Sequence, residues 1–225
     1  INICNSFYCG DAAGRSQDYS NVDFCFALNI GIPFIVPEDL RDNKTTKLTV
    51  PSYPIFTNPQ PGFQIPDLNK GKYLILMCGP MAGGKTTLSY QIKKQFSSKV
   101  EVAHKDIHKT GPRMIKYCKE VLAANKSLIV DATNATVANR AEYINLVEGL
   151  KIKVIVIFAN ISKEESFYLN HYRVETSKGN SAFIPDVAIH KFYKSLEIPN
   201  ETNETKIEKI IQYRPVVPNQ QALYF

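Results

Sequence analysis

Eight residues constrain this chain more than any others. Gly79-Pro80-Met81-Ala82-Gly83-Gly84-Lys85-Thr86 fill every fixed position of the pattern G-x-x-x-x-G-K-[ST]. That pattern requires a strand before it and a helix after it; the apolar run Tyr73–Cys78 supplies the first, and a helical stretch from Thr87 to about Phe96 the second. Its glycines let backbone N–H groups curl around phosphate oxygens, and the helix start adds the positive end of its dipole. Lys85 is placed to reach the β- and γ-phosphates of ATP, and the Thr86 hydroxyl to join the shell of a Mg²⁺ ion. With Thr87, these eight residues are the expected ATP-binding set.

The rest of the chain repeats the same alternation. Val100–Ala103, Ser127–Val130, Lys153–Phe158 and a segment near Lys209–Tyr213 read as strands. Helices are expected at about Thr110–Ala124, at Val137–Leu150, from about Lys163, and after Pro185. KVIVIF at 153–158 is nearly all apolar and β-branched, as a strand buried on both faces must be. Strands alternating with helices predict an α/β fold, a doubly wound parallel sheet of the P-loop type with helices on both faces. Seven of the thirteen prolines fall between Pro33 and Pro66, a density that argues against helix and central strand there. Residues 37–70 accordingly read as linker, with domain boundaries at 1–40, 41–70 and 71–225.

Composition narrows the class. With 225 residues, 44% of them hydrophobic, the chain is long enough for one sizeable or two small cores, which sets disorder aside. No apolar run approaches the roughly 18 residues that cross a bilayer, so no membrane partner is expected. Five cysteines, Cys4 to Cys118, show no C-x-x-C spacing and read as reduced thiols of an intracellular protein. The formal charge of +6 averages two unlike segments, −2 over residues 1–70 and +8 over 71–225, and a basic C-terminal segment favours a polyanionic partner. The first methionine is Met77, so the chain is expected to be the C-terminal part of something longer.

Five further positions carry candidate chemistry. Asp106, in HKDIHK just past the second strand, can accept a proton from an attacking hydroxyl or cap a helix. Asp131 ends a buried strand and can hold a Mg²⁺ shell or orient a base, or again serve as a cap. Arg173, in the polar segment Asn170–Ser181, can meet a transferring phosphate as part of a lid or lie in an exposed loop. Lys109 and Arg113 belong to a cluster of basic residues around Asp106 that either lines a path for phosphates or is a solvated face. The four histidines show no ligand spacing and read as surface or linker residues.

Together these segments resemble the polynucleotide kinase 3'-phosphatase family. HKD is similar to that family's N-R-D and DATN to its D-N-T-N; the resemblance continues through Asn139-Arg140, Asn170–Arg173 and Ile184-Pro185. Independently, FYCGDAAGRSQDYSNVDFCFALNIGIPF, residues 7–34, is similar to the end of the family's haloacid-dehalogenase-like phosphatase domain. The resemblance implies ATP and Mg²⁺ as cofactors, Asp106 as general base with Asp131 in support, and Lys85 and Arg173 on the phosphates. It also implies Lys109, Arg113 and Arg140 on nucleic acid, and Asp11 as a remnant phosphatase Mg²⁺ ligand. Two departures stand out. His171-Tyr172-Arg173 offers one arginine where the family often has two, and no D-x-D-G-T nucleophile segment is present.

The expected function is therefore ATP-dependent phosphorylation of 5'-hydroxyl ends of DNA or RNA in strand-break repair, in the nucleus, with possible repair-protein partners. A 3'-phosphatase is expected only in a longer native chain. The alternatives are a P-loop kinase of a small hydroxyl compound, and an inactive module that binds nucleic-acid ends.

Overall fold

The computed structural model describes residues 5–58 and 61–225; Cys4, and Pro59 and Gln60 of the proline-rich stretch, lie outside the described residues. The chain divides into two compact units, Ile1–Ile55 with Asn219–Phe225, and Phe56–Pro218.

In the first unit, strands β1 (Tyr8–Cys9) and β2 (Phe34–Ile35) pair in parallel, with helix α1 (Val22–Ile30) between them. Two carboxylates shape the loop that leads into α1. Asp23 accepts the Ala12 N–H and the Tyr8 hydroxyl, at 3.0 and 3.2 Å, and Asp18 accepts the Ala13 and Arg15 N–H groups, both at 3.0 Å. The chain's end returns here, because the Asn29 amide satisfies both backbone groups of Tyr224 at 2.9 Å, as a neighbouring strand would. The segment 41–70 does not form one uniform connector: residues up to Ile55 group with this unit and those from Phe56 with the other. Nor does proline density exclude helix, since Pro37–Asp42 form α2. Pro37 occupies the first turn, where its missing N–H has no helical partner to lose.

The second unit is built as β3 (Tyr73–Cys78), α3 (Lys85–Phe96), β4 (Val100–His104), α4 (Lys105–His108), α5 (Gly111–Ala123), β5 (Ser127–Asp131), α6 (Val137–Ile144), β6 (Lys153–Ala159), α7 (Lys163–Thr176), α8 (Asp186–Ser195) and β7 (Ile207–Tyr213). Its five strands are all parallel, in the order β4-β5-β3-β6-β7. Side chains of a strand alternate between faces, and both faces are covered. Leu74, Leu76 and Cys78 join Met114, Cys118 and Tyr143 in one layer, while Ile75 and Met77 join Leu88 and Ile92 in the other. This double covering is why the strands read as unbroken apolar runs.

One expected loop is largely helix. α7 continues to Thr176, so Asn170–Thr176 are helical, because Tyr168, Leu169 and Tyr172 bury a stripe that their polar neighbours hide in the sequence. Among the described residues, no helix is long and apolar enough to cross a membrane.

Candidate active site

The chain leaves β3 into the glycine-rich loop at the central position of the sheet, beside β5 and β6, on the carboxyl edge where open α/β sheets bind ligands. Gly79 adopts φ 143° with no room for a side chain; a Cβ there would lie 2.6 Å from that of Ala159 on β6. Gly79→Ala therefore forces β3 and β6 apart at the mouth of the loop. The variant is expected to lose nucleotide binding and to melt several degrees below wild type, by roughly 1–3 kcal/mol of strain, in paired calorimetric binding and thermal unfolding measurements.

Three hydrogen bonds, from the segment after β5 and from α7, hold the loop. Gly79 N–H donates to Thr133 O at 3.0 Å, the Asn134 side chain to Met77 O at 2.7 Å, and the buried Ser166 hydroxyl of α7 to Met81 O at 2.9 Å. Lys85 begins α3 and is buried, with Nζ donating to Pro80 O at 2.6 Å. Burial pulls its pKa down to about 8, against the opposing charges of Asp131, Cys78 and Asp106. An incoming phosphate would exchange for the Pro80 carbonyl and restore a full counter-charge.

Beside Lys85 lies a polar group centred on His104, the last residue of β4. The Asp106 N–H donates to its Nδ1 at 3.2 Å, so the neutral ring carries its proton on Nε2. Nε2 is 3.3 Å from Thr86 Oγ1 and 3.2 Å from Asp131 Oδ2. The latter contact lacks hydrogen-bond alignment, leaving the buried Oδ2 without a partner among the described residues. Burial pushes the Asp131 carboxyl up, while Thr86, His104 and Lys85 pull it back. A buried carboxylate oxygen with no hydrogen bond, near a threonine hydroxyl, suits a hard divalent cation. Asp106, by contrast, is 91% exposed, with Oδ2 4.0 Å from His104 Nδ1. Neither aspartate is a cap: His104 caps α4 and Thr136 caps α6.

Across the loop, a cleft of about 410 Å³ is lined by Ala82–Thr87, by Tyr172 and Arg173 of α7, by Tyr213 at the end of β7 and by Pro215–Pro218 after it. Its size is that of a small-molecule site. Arg173 is half-buried and lines this cleft; it donates to Ala182 O, and its buried Nε has no hydrogen-bond partner among the described residues.

Lys109 and Arg113 are exposed just beyond Asp106. Arg140 corrects the expectation of a nucleic-acid contact. It is fully buried, bonded by two nitrogens to Glu204 at 2.7 and 2.6 Å and by a third to the carbonyls of Asn134 and Ala135. It cannot touch a substrate; it braces the loop after β5 from below. Asp11 is exposed in the first unit, and its neighbours Asp18 and Asp23 are committed to the loop's own N–H groups. The histidines were expected to be surface or linker residues; His104 is instead central to the site, and its position at a strand's carboxyl end two residues before Asp106 was the available signal. Ser166 is a second residue missed, for which a helical serine gives no sequence cue.

A parallel sheet of this order, with the glycine loop closing on Lys85 and Thr86 and an acidic strand end beside it, is the P-loop NTPase type of α/β fold. Residues 1–40 match the family model described as polynucleotide kinase 3 phosphatase. The chain is 27% identical over 210 residues to the bifunctional polynucleotide phosphatase/kinase of Schizosaccharomyces pombe, covering 90% of this chain and 50% of that protein. It is 29% identical over 238 residues to a putative bifunctional polynucleotide phosphatase/kinase of Acanthamoeba polyphaga mimivirus, covering 92% and 56%. The chain thus spans about half the length of the curated relatives it matches. Among solved structures, a fungal RNA kinase superposes with a TM-score of 0.48 at 16% identity, over 63% of this chain and 74% of that one. The resemblance to bifunctional polynucleotide phosphatase/kinases thus extends over nine-tenths of the chain.

Proposed function

We propose that the Phe56–Pro218 unit is an ATP-dependent polynucleotide 5'-hydroxyl kinase, which moves the γ-phosphoryl group of ATP onto the terminal hydroxyl of a nucleic-acid strand. The observation that carries this reading is the division of labour between two aspartates at the carboxyl ends of adjacent strands, Asp131 closing β5 and Asp106 two residues past β4, in α4. Asp131 is buried against Thr86 and Lys85, on the phosphate side, while Asp106 is open to solvent, where the end of a large substrate can arrive.

ATP would lie with its phosphates in the Gly79–Thr86 loop and its base toward Tyr213–Pro218, in the 410 Å³ cleft. Thr86 and Asp131 would hold Mg²⁺, which when bound neutralises phosphate charge. Lys85 and Arg173 take up charge on the transferring group, and Asp106 aligns the hydroxyl and accepts its proton. A hollow of about 170 Å³ between α5 and α6, lined by residues including Lys105, Asn139 and Glu142, suits the terminal sugar. It would equally fit a small polyol, so the acceptor is the point to test. A nuclear role in strand-break end healing, and Asp11 as a phosphatase metal ligand in a fragment of a haloacid-dehalogenase-like domain, accompany this proposal on family resemblance.

Purified chain incubated with γ-labelled ATP, Mg²⁺ and equal concentrations of a 5'-hydroxyl oligonucleotide and of small alcohols is expected to label the oligonucleotide almost exclusively. Label on the small alcohols instead would replace this reading with that of a small-molecule kinase.

A further inference from the structure

The edge of the sheet opposite the active site carries a pattern of its own. The residue just before each of three adjacent strands is a lysine: Lys99 before β4, Lys126 before β5 and Lys72 before β3. The registers Val100↔Ser127 and Leu74↔Leu128 bring these three positions side by side, at the strand spacing of about 4.8 Å. All three, with Lys70, line one open cleft of about 510 Å³.

Two explanations compete. Lysines near helix C-termini often complement the exposed carbonyls. Yet Lys72 follows a turn at Asp67–Lys70 and not a helix, and Lys70 lies in that turn. The neighbouring strands make the contrast sharper. On the same edge, Lys153 and Lys206 are each matched by a glutamate, Glu208 at 2.6 Å and Glu148 at 2.7 Å. Lys72 and Lys99 have no carboxylate within 4.0 Å among the described residues; Asp67 pairs Lys70 at 3.9 Å, and Glu101 is shared by two ammonium groups, Lys93 and Lys126, both at 2.8 Å, so two carboxylates face five lysines. Positive charge is neutralised along β6 and β7 and left in excess along β4, β5 and β3.

We propose that this lysine row is a second polynucleotide-binding groove, which holds the phosphate backbone of a long strand about 20 Å from the catalytic edge, the length of six-residue β3. The row's repeat of about 4.8 Å lies between the axial rise per nucleotide of a duplex, about 3.4 Å, and the longer interval of an extended strand. This rests on the polynucleotide reading above, and extends it from strand ends to strand length. A trinucleotide, about 10 Å long at that rise, cannot reach from one edge to the other, whereas a 20-mer can.

The test compares the full chain with the Lys72→Gln/Lys99→Gln variant, by fluorescence anisotropy with 3'-labelled 20-mer and 3-mer and by steady-state phosphate transfer. The variant is expected to bind the 20-mer about tenfold more weakly, with a salt slope lower by about 1.4, two single-strand contacts' worth. Its KM for the 20-mer rises, while kcat and the 3-mer's KM hold. Lys72→Arg/Lys99→Arg should retain 20-mer affinity. An unchanged 20-mer Kd and salt slope would overturn the groove, as would equal weakening of 20-mer and 3-mer. Tighter, lysine-dependent binding of a polyglutamate peptide than of the 20-mer would reassign it to an acidic protein. Lysine-dependent 20-mer binding with no transfer to any oligonucleotide would keep the groove and sink the kinase reading.

Discussion

Asp106→Asn is expected to slow phosphate transfer from ATP to a 5'-hydroxyl oligonucleotide by about 10²–10⁴-fold, the usual contribution of a positioned general base, while ATP affinity stays within about twofold. The substitution keeps the size of the side chain and removes its negative charge, and with it the ability to take a proton. Because the carboxylate is exposed and 4.0 Å from its nearest basic neighbour, its loss disturbs no buried contact, and the melting temperature should not move. Asp131→Asn should behave differently. That oxygen is buried beside Thr86 and Lys85, so its replacement should weaken Mg²⁺-dependent nucleotide binding as well as turnover. Near wild-type transfer by Asp106→Asn, with complete loss in Asp131→Asn, would move the base to Asp131.

Arg140→Ala is expected to destabilise the protein by about 3–5 kcal/mol, the cost of stripping one partner from a buried ion pair. At about 2–4 °C per kcal/mol for a chain of this length, the melting temperature falls by roughly 10 °C. Glu204 would be left as an uncompensated buried charge, and the carbonyls of Asn134 and Ala135 would lose their donor. Since Asn134 also donates to Met77 O beneath the glycine loop, transfer activity should drop well below the melting transition. Pairing Arg140→Met with Glu204→Leu removes both charges and should recover part of the stability, but not all, because the two carbonyls stay unpaired. A variant that melts within about 2 °C of wild type but loses oligonucleotide affinity would mean that the side chain faces substrate after all.

How much of this was legible beforehand differs by element. β3, β5 and β6 announced themselves because a strand covered on both faces has no choice but to be apolar throughout. The glycine loop did so because each conserved type in its pattern answers a separate steric or charge requirement, as the 2.6 Å approach at Gly79 shows. α7 was half-hidden. Its buried residues are tyrosines and a leucine among histidine, asparagine and arginine, and a mixed surface of that kind reads as loop until a partner for the stripe is known. The return of Tyr224 to Asn29 spans 195 residues and leaves no local trace at all.

The glycine loop, the parallel sheet and the positions of Lys85, Thr86, Asp106 and Asp131 at strand ends were determined by sequence alone, because each depends on residues within its own strand–turn–helix segment. Which way long side chains point was decided only by tertiary structure. Arg140 and Lys72 are both basic residues beside apolar segments, yet one is sealed against Glu204 and the other lines an open groove. His104 became part of the site for the same reason, since the strand order sets β4 beside β5 and brings the ring 3.2 Å from Asp131, 27 residues away along the chain. Local propensity acts through neighbours in the chain, whereas burial and charge pairing act through neighbours in space.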